Sequence, residues 1–377
     1  MSEWVEKRLG EIAPFKYGKP LREENRQIGK YNVYSSAGIC GLSDDNLTTK
    51  GIIIGRKGTA GSLFYSPTPF FCIDTAFYID ETAGICDMKF IYYYMQLLNL
   101  GSYNNDAAVP GLNRNLAHKL KIFMPPLSIQ TRIAEILSAY DDAIENNNRR
   151  IAILEKAAQE LYREWFVRFR FPGYKKAKFV NGLPEGWEIR QIGEVVKVGR
   201  GSSPRPITDE KYFSNGNIPW IKIADATKST KFILETNEYV NEYGASFSRK
   251  LPVGSMIIAA SGTLGFPMFL GVEGCIHDGW MYFFDITEIS KEYLYFALLS
   301  MGEYYNSISY GAAIQNINTE IIRKSKIVVP KSNIIKNFTE ILINIDNEIK
   351  ILLAKSQNLA RQRDLLLPRL MSGKLEV

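Results

Sequence analysis

The sequence predicts an α+β fold in which two similar α/β domains are separated by a long antiparallel two-helix coiled coil with pseudo-twofold symmetry. Three observations carry this reading. Landmark residues recur at near-constant offsets, short β-branched and aromatic runs broken by Gly, Pro and Asn fill most of each half, and two long segments carry an apolar seam. A length of 377 residues suits two or three domains of ordinary size.

The repeat is explicit. Trp4 and Leu9-Gly10-Glu11-Ile12 return as Trp187 and Ile192-Gly193-Glu194-Val195, at an offset of 183 (187 − 4). Ile52-Ile53-Ile54-Gly55 with Gly58-Thr59-Ala60-Gly61 returns as Met256-Ile257-Ile258-Ala259 with Gly262-Thr263-Leu264-Gly265, at 204 (262 − 58). The second copy therefore holds 21 further residues (204 − 183) between these landmarks. Gly111-Leu112-Asn113 answers Asn316-Ile317-Asn318 at 205 (318 − 113).

Residues 1–127 form the first domain and residues 181–331 the second. In the first, Gly51–Gly55 and residues 70–79 read as strands, residues 90–98 as a short aromatic helix, and Lys121–Met124 as a closing strand. In the second, residues 256–260, 293–299 and Lys326–Val329 take the same roles. The uncharged stretch 251–272 is long enough for a bilayer, but Pro252, Gly254, Gly262, Gly265, Pro267 and Gly271 break it into strand, loop and strand.

Helices follow at 128–169 and 332–371, with residues 372–377 as a tail. Ser128 reads as the N-cap of the first helix, and Asn333 holds the equivalent place in the second. The first seam runs Ile133, Leu137, Tyr140, Ile144, Asn147, Ile151 and Leu154, then Ala158, Leu161 and Trp165. The second runs Phe338, Leu342, Ile345, Ile349, Leu352, Ser356, Leu359 and Arg363, then Leu366 and Leu370. Seams sustained this long suit a coiled coil; the competing reading packs each helix on its own domain. An antiparallel pairing centred on the seam sets Asn147 against Ser356 and Tyr140 against Arg363. Residues 170–180 form a basic aromatic linker, and across 166–180 Arg168, Arg170, Lys175, Lys176 and Lys178 interleave with Phe169, Phe171, Tyr174 and Phe179. That stretch reads either as a phosphate contact or as a solvated connection anchored by its aromatics.

Composition narrows the function. With 46% hydrophobic and 23% charged residues, the disordered, collagen-like and disulfide-scaffold classes are excluded. Cys40, Cys72, Cys86 and Cys275 are widely spaced, and the opening residues lack a signal-peptide layout, so a reducing cytoplasm is expected. The two histidines, His118 and His277, leave little for a multi-histidine metal site. His277-Asp278 has the form of a base and its orienter, but no recognisable motif places a nucleophile, so it reads as a loop pair. Gly58-Thr59-Ala60-Gly61 and Gly199-Arg200-Gly201-Ser202-Ser203 match no phosphate-cradling fingerprint and read as turns. Phe123-Met124-Pro125-Pro126 has Met124 where an amino-methyltransferase needs a polar acceptor, and no nuclease signature is present. A net charge of +6 permits nucleic-acid binding.

The order of motifs, occurring twice, resembles the specificity subunit of a Type I restriction–modification system. The resemblance rests on Trp187 with Gly193-Glu194, Gly216-Asn217-Ile218-Pro219-Trp220-Ile221-Lys222, Gly254-Ser255-Met256-Ile257-Ile258-Ala259 and Ala313-Ile314-Gln315-Asn316-Ile317-Asn318. It rests also on the helix opening Pro125-Pro126-Leu127-Ser128-Ile129-Gln130-Thr131-Arg132. It implies a non-catalytic chain whose two target-recognition domains read a bipartite double-stranded DNA site. It implies partners as well: two methyltransferase subunits docked on the helices, and motor-nuclease restriction subunits. No cofactor belongs to this chain; S-adenosylmethionine, ATP and Mg belong on the partners. The sequence departs from the pattern at Asn333-Ile334-Ile335-Lys336, which bears on methyltransferase docking. It also departs in the first domain, where Tyr31-Asn32-Val33-Tyr34 stands in place of Pro219-Trp220-Ile221-Lys222.

Candidate DNA contacts are Arg56, Lys57, Thr59, Asn113, Arg114 and Asn115 in the first domain. In the second they are Arg200, Ser202, Ser203, Arg205, Lys222, Thr263, Gln315, Asn316 and Asn318. All lie in Gly- or Asn-rich loops, and Arg, Asn and Gln have the donor and acceptor pairs suited to base edges. Asn113 and Asn318 serve equally well as backbone caps. Two other classes are to be distinguished: a stand-alone DNA-modifying enzyme, which would bind S-adenosylmethionine by itself, and a coiled-coil scaffold that does not bind DNA.

Overall fold

The computed structural model describes residues 4–103, 111–226, 230–260, 265–308 and 317–377. It divides into two units, one made of Met1–Asn148 and Leu353–Val377, the other of Arg149–Leu352. Among the described residues no helix is long and apolar enough to cross a membrane.

In the first unit the opening strand Val5–Arg8 pairs antiparallel with the closing strand Lys121–Met124, so the ends of the recognition domain are tied together. A four-stranded sheet has the order Lys16–Tyr17, Ala76–Ile79, Gly51–Gly55, Leu63–Ser66, and a three-stranded sheet the order Gly38–Ser43, Tyr31–Ser35, Phe70–Cys72. Gly51–Gly55 is wholly buried, as a continuous Ile run must be when both sheet faces are covered. The expected run 70–79 proves to be two strands in different sheets, separated by a turn in which the Ala76 N–H meets the Ile73 carbonyl at 3.0 Å. Asp87 caps the helix Met88–Gln96, its carboxylate accepting the Phe90 N–H at 2.9 Å. Leu9, Ile52, Ile54 and Phe90 from the domain share one core with Ile133, Leu137, Leu367 and Leu370 from the long helices.

The second unit repeats the plan. Glu188–Gln191 pairs antiparallel with Lys326–Val329. A five-stranded sheet runs Lys197–Arg200, Trp280–Phe284, Met256–Ala259, Pro267–Leu270, Phe232–Ile233, and a four-stranded sheet runs Tyr239–Val240, Ile218–Ile221, Gly274–Ile276, Arg249–Leu251. The additional strand Phe232–Ile233 comes from the interval that is longer in this copy and pairs in parallel with Pro267–Leu270. Gly199 is a strand residue rather than a turn: a Cβ there would lie 2.4 Å from the Tyr282 ring, which packs across the glycine and would have to shift for any larger residue.

The long helices span Leu127–Tyr162, extended by a π-helical turn Arg163–Val167, and Ser332–Met371. Neither Ser128 nor Asn333 is an N-cap; both lie exposed in the first turn. The capping position falls two residues earlier, where the Pro126 carbonyl accepts from Ile129 and Gln130, and the Lys331 carbonyl from Ile334 and Ile335. The helical turn ends at Val167 rather than at residue 169, because Phe169 takes a left-handed backbone, φ +55°.

Within the first unit the helices run antiparallel: Asn147 Nδ2 donates to Ser356 Oγ at 3.2 Å, and Arg363 pairs with Asp141. Within the second, Arg150 meets Glu348 at 2.7 Å and the Trp165 and Phe338 rings lie 5.8 Å apart. Every seam residue is buried or half-buried, so the seam is an interior stripe in each unit. Arg363 differs from expectation, because the carboxylate one residue beyond Tyr140 offers a charge-assisted partner that a phenol ring cannot match.

In the linker, Arg168 and Arg170 are paired with Glu164. Phe169 and Phe171 pack on the buried Trp187, their ring centroids 5.7 and 4.8 Å from it. Asn181-Gly182 then turns a hairpin between Phe179–Val180 and Leu183–Pro184.

Candidate nucleic-acid interface

In the first unit the loop after Gly51–Gly55 is bound to two other segments. The Arg56 and Lys57 N–H groups donate to the Thr75 carbonyl at 2.9 and 3.0 Å, and the Leu112 N–H donates to the Arg56 carbonyl at 2.8 Å. The loop itself turns through left-handed Gly58 and Gly61. Arg56, Lys57 and Thr59 are thereby brought beside Asn113, Arg114 and Asn115.

Asn113 is the N-cap of the helix Arg114–His118: its Oδ1 accepts from Asn115 at 2.9 Å and Leu116 at 3.2 Å. That oxygen is occupied, which favours the capping role over base reading. Sequence reasoning missed Tyr17. Its half-exposed ring carries the guanidinium carbons of Arg56 and Arg114 at 5.0 and 4.7 Å from its centroid, so the two cations share one aromatic platform. Arg56 is further held by an Nη1 donation to the Asp74 carbonyl at 3.1 Å. His118 is a packing residue, accepting the Phe15 N–H on Nε2 at 2.9 Å; burial and then Arg114 push its pKa down and keep it neutral.

In the second unit the candidates gather about the turn His277-Asp278-Gly279. Arg200 Nε donates to the Asp278 carbonyl at 3.0 Å, the Asp278 N–H donates to Ser203 Oγ at 3.2 Å, and Arg205 forms an ion pair with the Asp278 carboxylate. Ser202 is exposed, its carbonyl accepting the Ser248 hydroxyl at 2.7 Å. Lys222 Nζ lies 5.2 Å from the Trp220 ring centroid and 2.5 Å from Glu238. Arg205 and Lys222 are therefore neutralised by carboxylates and must exchange a partner to meet phosphate.

His277 has its Nδ1 taken by the Gly279 N–H at 2.9 Å and its Nε2 by Asp278 at 2.9 Å. Burial lowers its pKa against the pull of Asp278, and among the described residues no hydroxyl sits on it as a nucleophile would. Asn318 caps Thr319–Lys324, its Oδ1 accepting the Ile321 N–H at 2.9 Å. The Ile317 N–H meets the Ala260 carbonyl at 3.0 Å, repeating the bond from Leu112 to Arg56. Thr263, Gln315 and Asn316 lie outside the described residues. No cluster of three or more metal-ligating side chains exists among the described residues.

The fold and site define a class: a duplicated recognition protein, each unit joining the end of its buried central strand to an Asn-capped helix and each built on a stretch of both long helices. The family model for the Type I restriction modification DNA specificity domain matches residues 1–156 and 184–361, and the chain belongs to this family. It is similar to the MjaVIII specificity subunit of Methanocaldococcus jannaschii, 24% identical over 409 residues that cover 100% of this chain and 93% of the relative. The MjaIX specificity subunit of the same organism is 27% identical over 317 residues, covering 77% of this chain and 69% of that one. The crystal structure of a Type I restriction–modification S subunit from M. genitalium shares the fold, with a TM-score of 0.62 at 17% identity over 98% of this chain and 96% of that one.

Proposed function

We propose that this chain is the non-catalytic specificity subunit of a Type I restriction–modification system, and that it reads a bipartite double-stranded DNA site in the cytoplasm. Two methyltransferase subunits and the motor-nuclease restriction subunits act where it binds. S-adenosylmethionine, ATP and Mg belong to those partners, and this chain needs no cofactor of its own. The observation that carries the reading is the repeated loop geometry. In each unit the loop after the buried central strand is hydrogen-bonded to the residue preceding an Asn cap, from Leu112 to Arg56 and from Ile317 to Ala260. The same bond between central strand and Asn-capped helix thus recurs twice, as two half-sites require. In the first unit Arg56, Lys57 and Arg114 lie on it, and in the second the basic residues Arg200, Arg205 and Lys222 come from other segments.

Phosphate contacts supply affinity and side chains at base edges supply specificity. The first unit offers Arg56, Lys57, Thr59, Arg114 and Asn115, and the second offers Arg200, Ser202, Ser203, Arg205 and Lys222. Asn113 holds the helix start that presents Arg114 and Asn115, and Asn318 caps the equivalent helix. The test is duplex binding by the chain with its methyltransferase subunits across a salt series. Log affinity should fall steeply against log salt, with a slope matching about six to ten phosphates. A flat response overturns the reading, and S-adenosylmethionine binding by the isolated chain would favour a self-contained enzyme.

A further inference from the structure

The two units share an arginine that no offset in the sequence aligns. Strand register fixes the equivalent positions. Tyr17 pairs with Phe77, and Arg200 pairs with Met281, at offsets of 183 (200 − 17) and 204 (281 − 77). Gly55 pairs with Ala76, and Ala259 with Trp280, both at 204 (259 − 55 and 280 − 76). Asp74 and Asp278 are therefore equivalent, as are Arg56 and Ala260, and Tyr17 and Arg200.

In the first unit the Asp74 carbonyl receives a guanidinium N–H from Arg56 at 3.1 Å, and in the second the Asp278 carbonyl receives one from Arg200 at 3.0 Å. The cation reaches the same carbonyl from two different segments, the loop after Gly51–Gly55 in the first unit and the strand Lys197–Arg200 in the second. Where the first unit has Arg56 the second has the small, buried Ala260; where the second has Arg200 the first has Tyr17. Among the described residues neither guanidinium is in an ion pair, unlike Arg205 and Lys222. A guanidinium carries five N–H donors in a fixed fork, and the carbonyl uses one. The remaining donors match two phosphate oxygens.

We propose that Arg56 and Arg200 are the DNA-backbone contacts common to both domains, each aimed by an aspartate carbonyl. Contacts made in one unit only, Arg114 on Tyr17 and Arg205 on Asp278, are left to distinguish the half-sites; Arg22, at the place of Arg205, pairs with Glu24 instead. This rests on the DNA-reading function proposed above. A group found at the same place in two domains that read different sequences serves what the half-sites share, and duplex DNA shares its phosphates.

The experiment compares wild type, Arg56→Gln and Arg200→Gln as complexes with the methyltransferase subunits, on a specific and an unrelated duplex. Each loss of one phosphate contact should reduce the salt slope by about 1 and affinity at 0.1 M salt by about eightfold, from roughly 0.9 log units per phosphate. The reduction should be equal on both duplexes. In Tyr17→Arg with Arg56→Ala, which gives the first unit the second unit's arrangement, the slope should return. Relaxed preference at one base pair overturns the assignment, as does an unchanged slope in both single variants. If wild type itself binds no duplex, the DNA-reading function fails instead.

Discussion

Asp346→Ala should weaken the second unit by about 3–5 kcal/mol, the cost of stranding one member of a buried ion pair. Asp346 Oδ1 lies 2.6 Å from Lys231 Nζ, with the two side chains 9% and 2% exposed. The ammonium also sits between aromatic faces, 4.6 Å from Tyr295, 5.2 Å from Phe296 and 5.3 Å from Phe269. Burial lowers the Lys231 pKa from the usual 10.5, and Asp346 is the largest influence opposing it. Removing the carboxylate lowers it further. The sign follows from linkage: with the folded-state value below the unfolded one, the unfolded chain binds more protons between the two, and stability rises with pH up to about 10.5. The variant's deficit against wild type should therefore shrink as pH rises between the variant's folded-state value and the wild type's, both of which lie below 10.5. Denaturant unfolding read by tryptophan fluorescence is suited to the measurement, since Trp165, Trp187, Trp220 and Trp280 all belong to this unit. Replacing the pair by Lys231→Met with Asp346→Leu should recover most of the loss. A deficit under about 1 kcal/mol, or one independent of pH, would refute the account of a desolvated pair.

Asn113→Ala and Asn318→Ala should each cost about 1 kcal/mol locally, seen as faster amide exchange at Asn115 and Leu116 and at Ile321, while the Asp variants keep protection; unchanged exchange would return these residues to the base-reading role. Asn147→Leu combined with Ser356→Ala removes both partners of a seam hydrogen bond and should leave stability equal or higher by denaturant unfolding, whereas a loss above about 1 kcal/mol would mean the bond outweighs its desolvation. At pH 8 mass spectrometry of the alkylated native protein should find Cys40 modified first. Burial pushes Cys72 and Cys86 to about 12 and Cys275 to about 11, so comparable modification of any of them would show that these segments open.

The closing strands Lys121–Met124 and Lys326–Val329 and the heptad stripes were legible in the amino-acid order alone. Their signals are local: alternation or a 3.5-residue period repeated over enough residues to outweigh chance. The duplication was legible for the same reason, since landmark spacing survives even where side chains differ. Which charge meets which was decided by the tertiary structure. Asp141 and Asp346 hold equivalent seam-flanking positions, yet one takes Arg363 from the opposite helix and the other takes Lys231 from the longer interval of the second domain. The guanidinium on the Asp74 and Asp278 carbonyls likewise comes from different segments, a loop in one unit and a strand in the other. Asn113 and Asn318 had two readings until the helix starts showed where their oxygens point. A side chain's partner depends on segments far away in sequence, and folding brings those segments together according to strand pairing and burial, neither of which leaves a periodic mark on the chain.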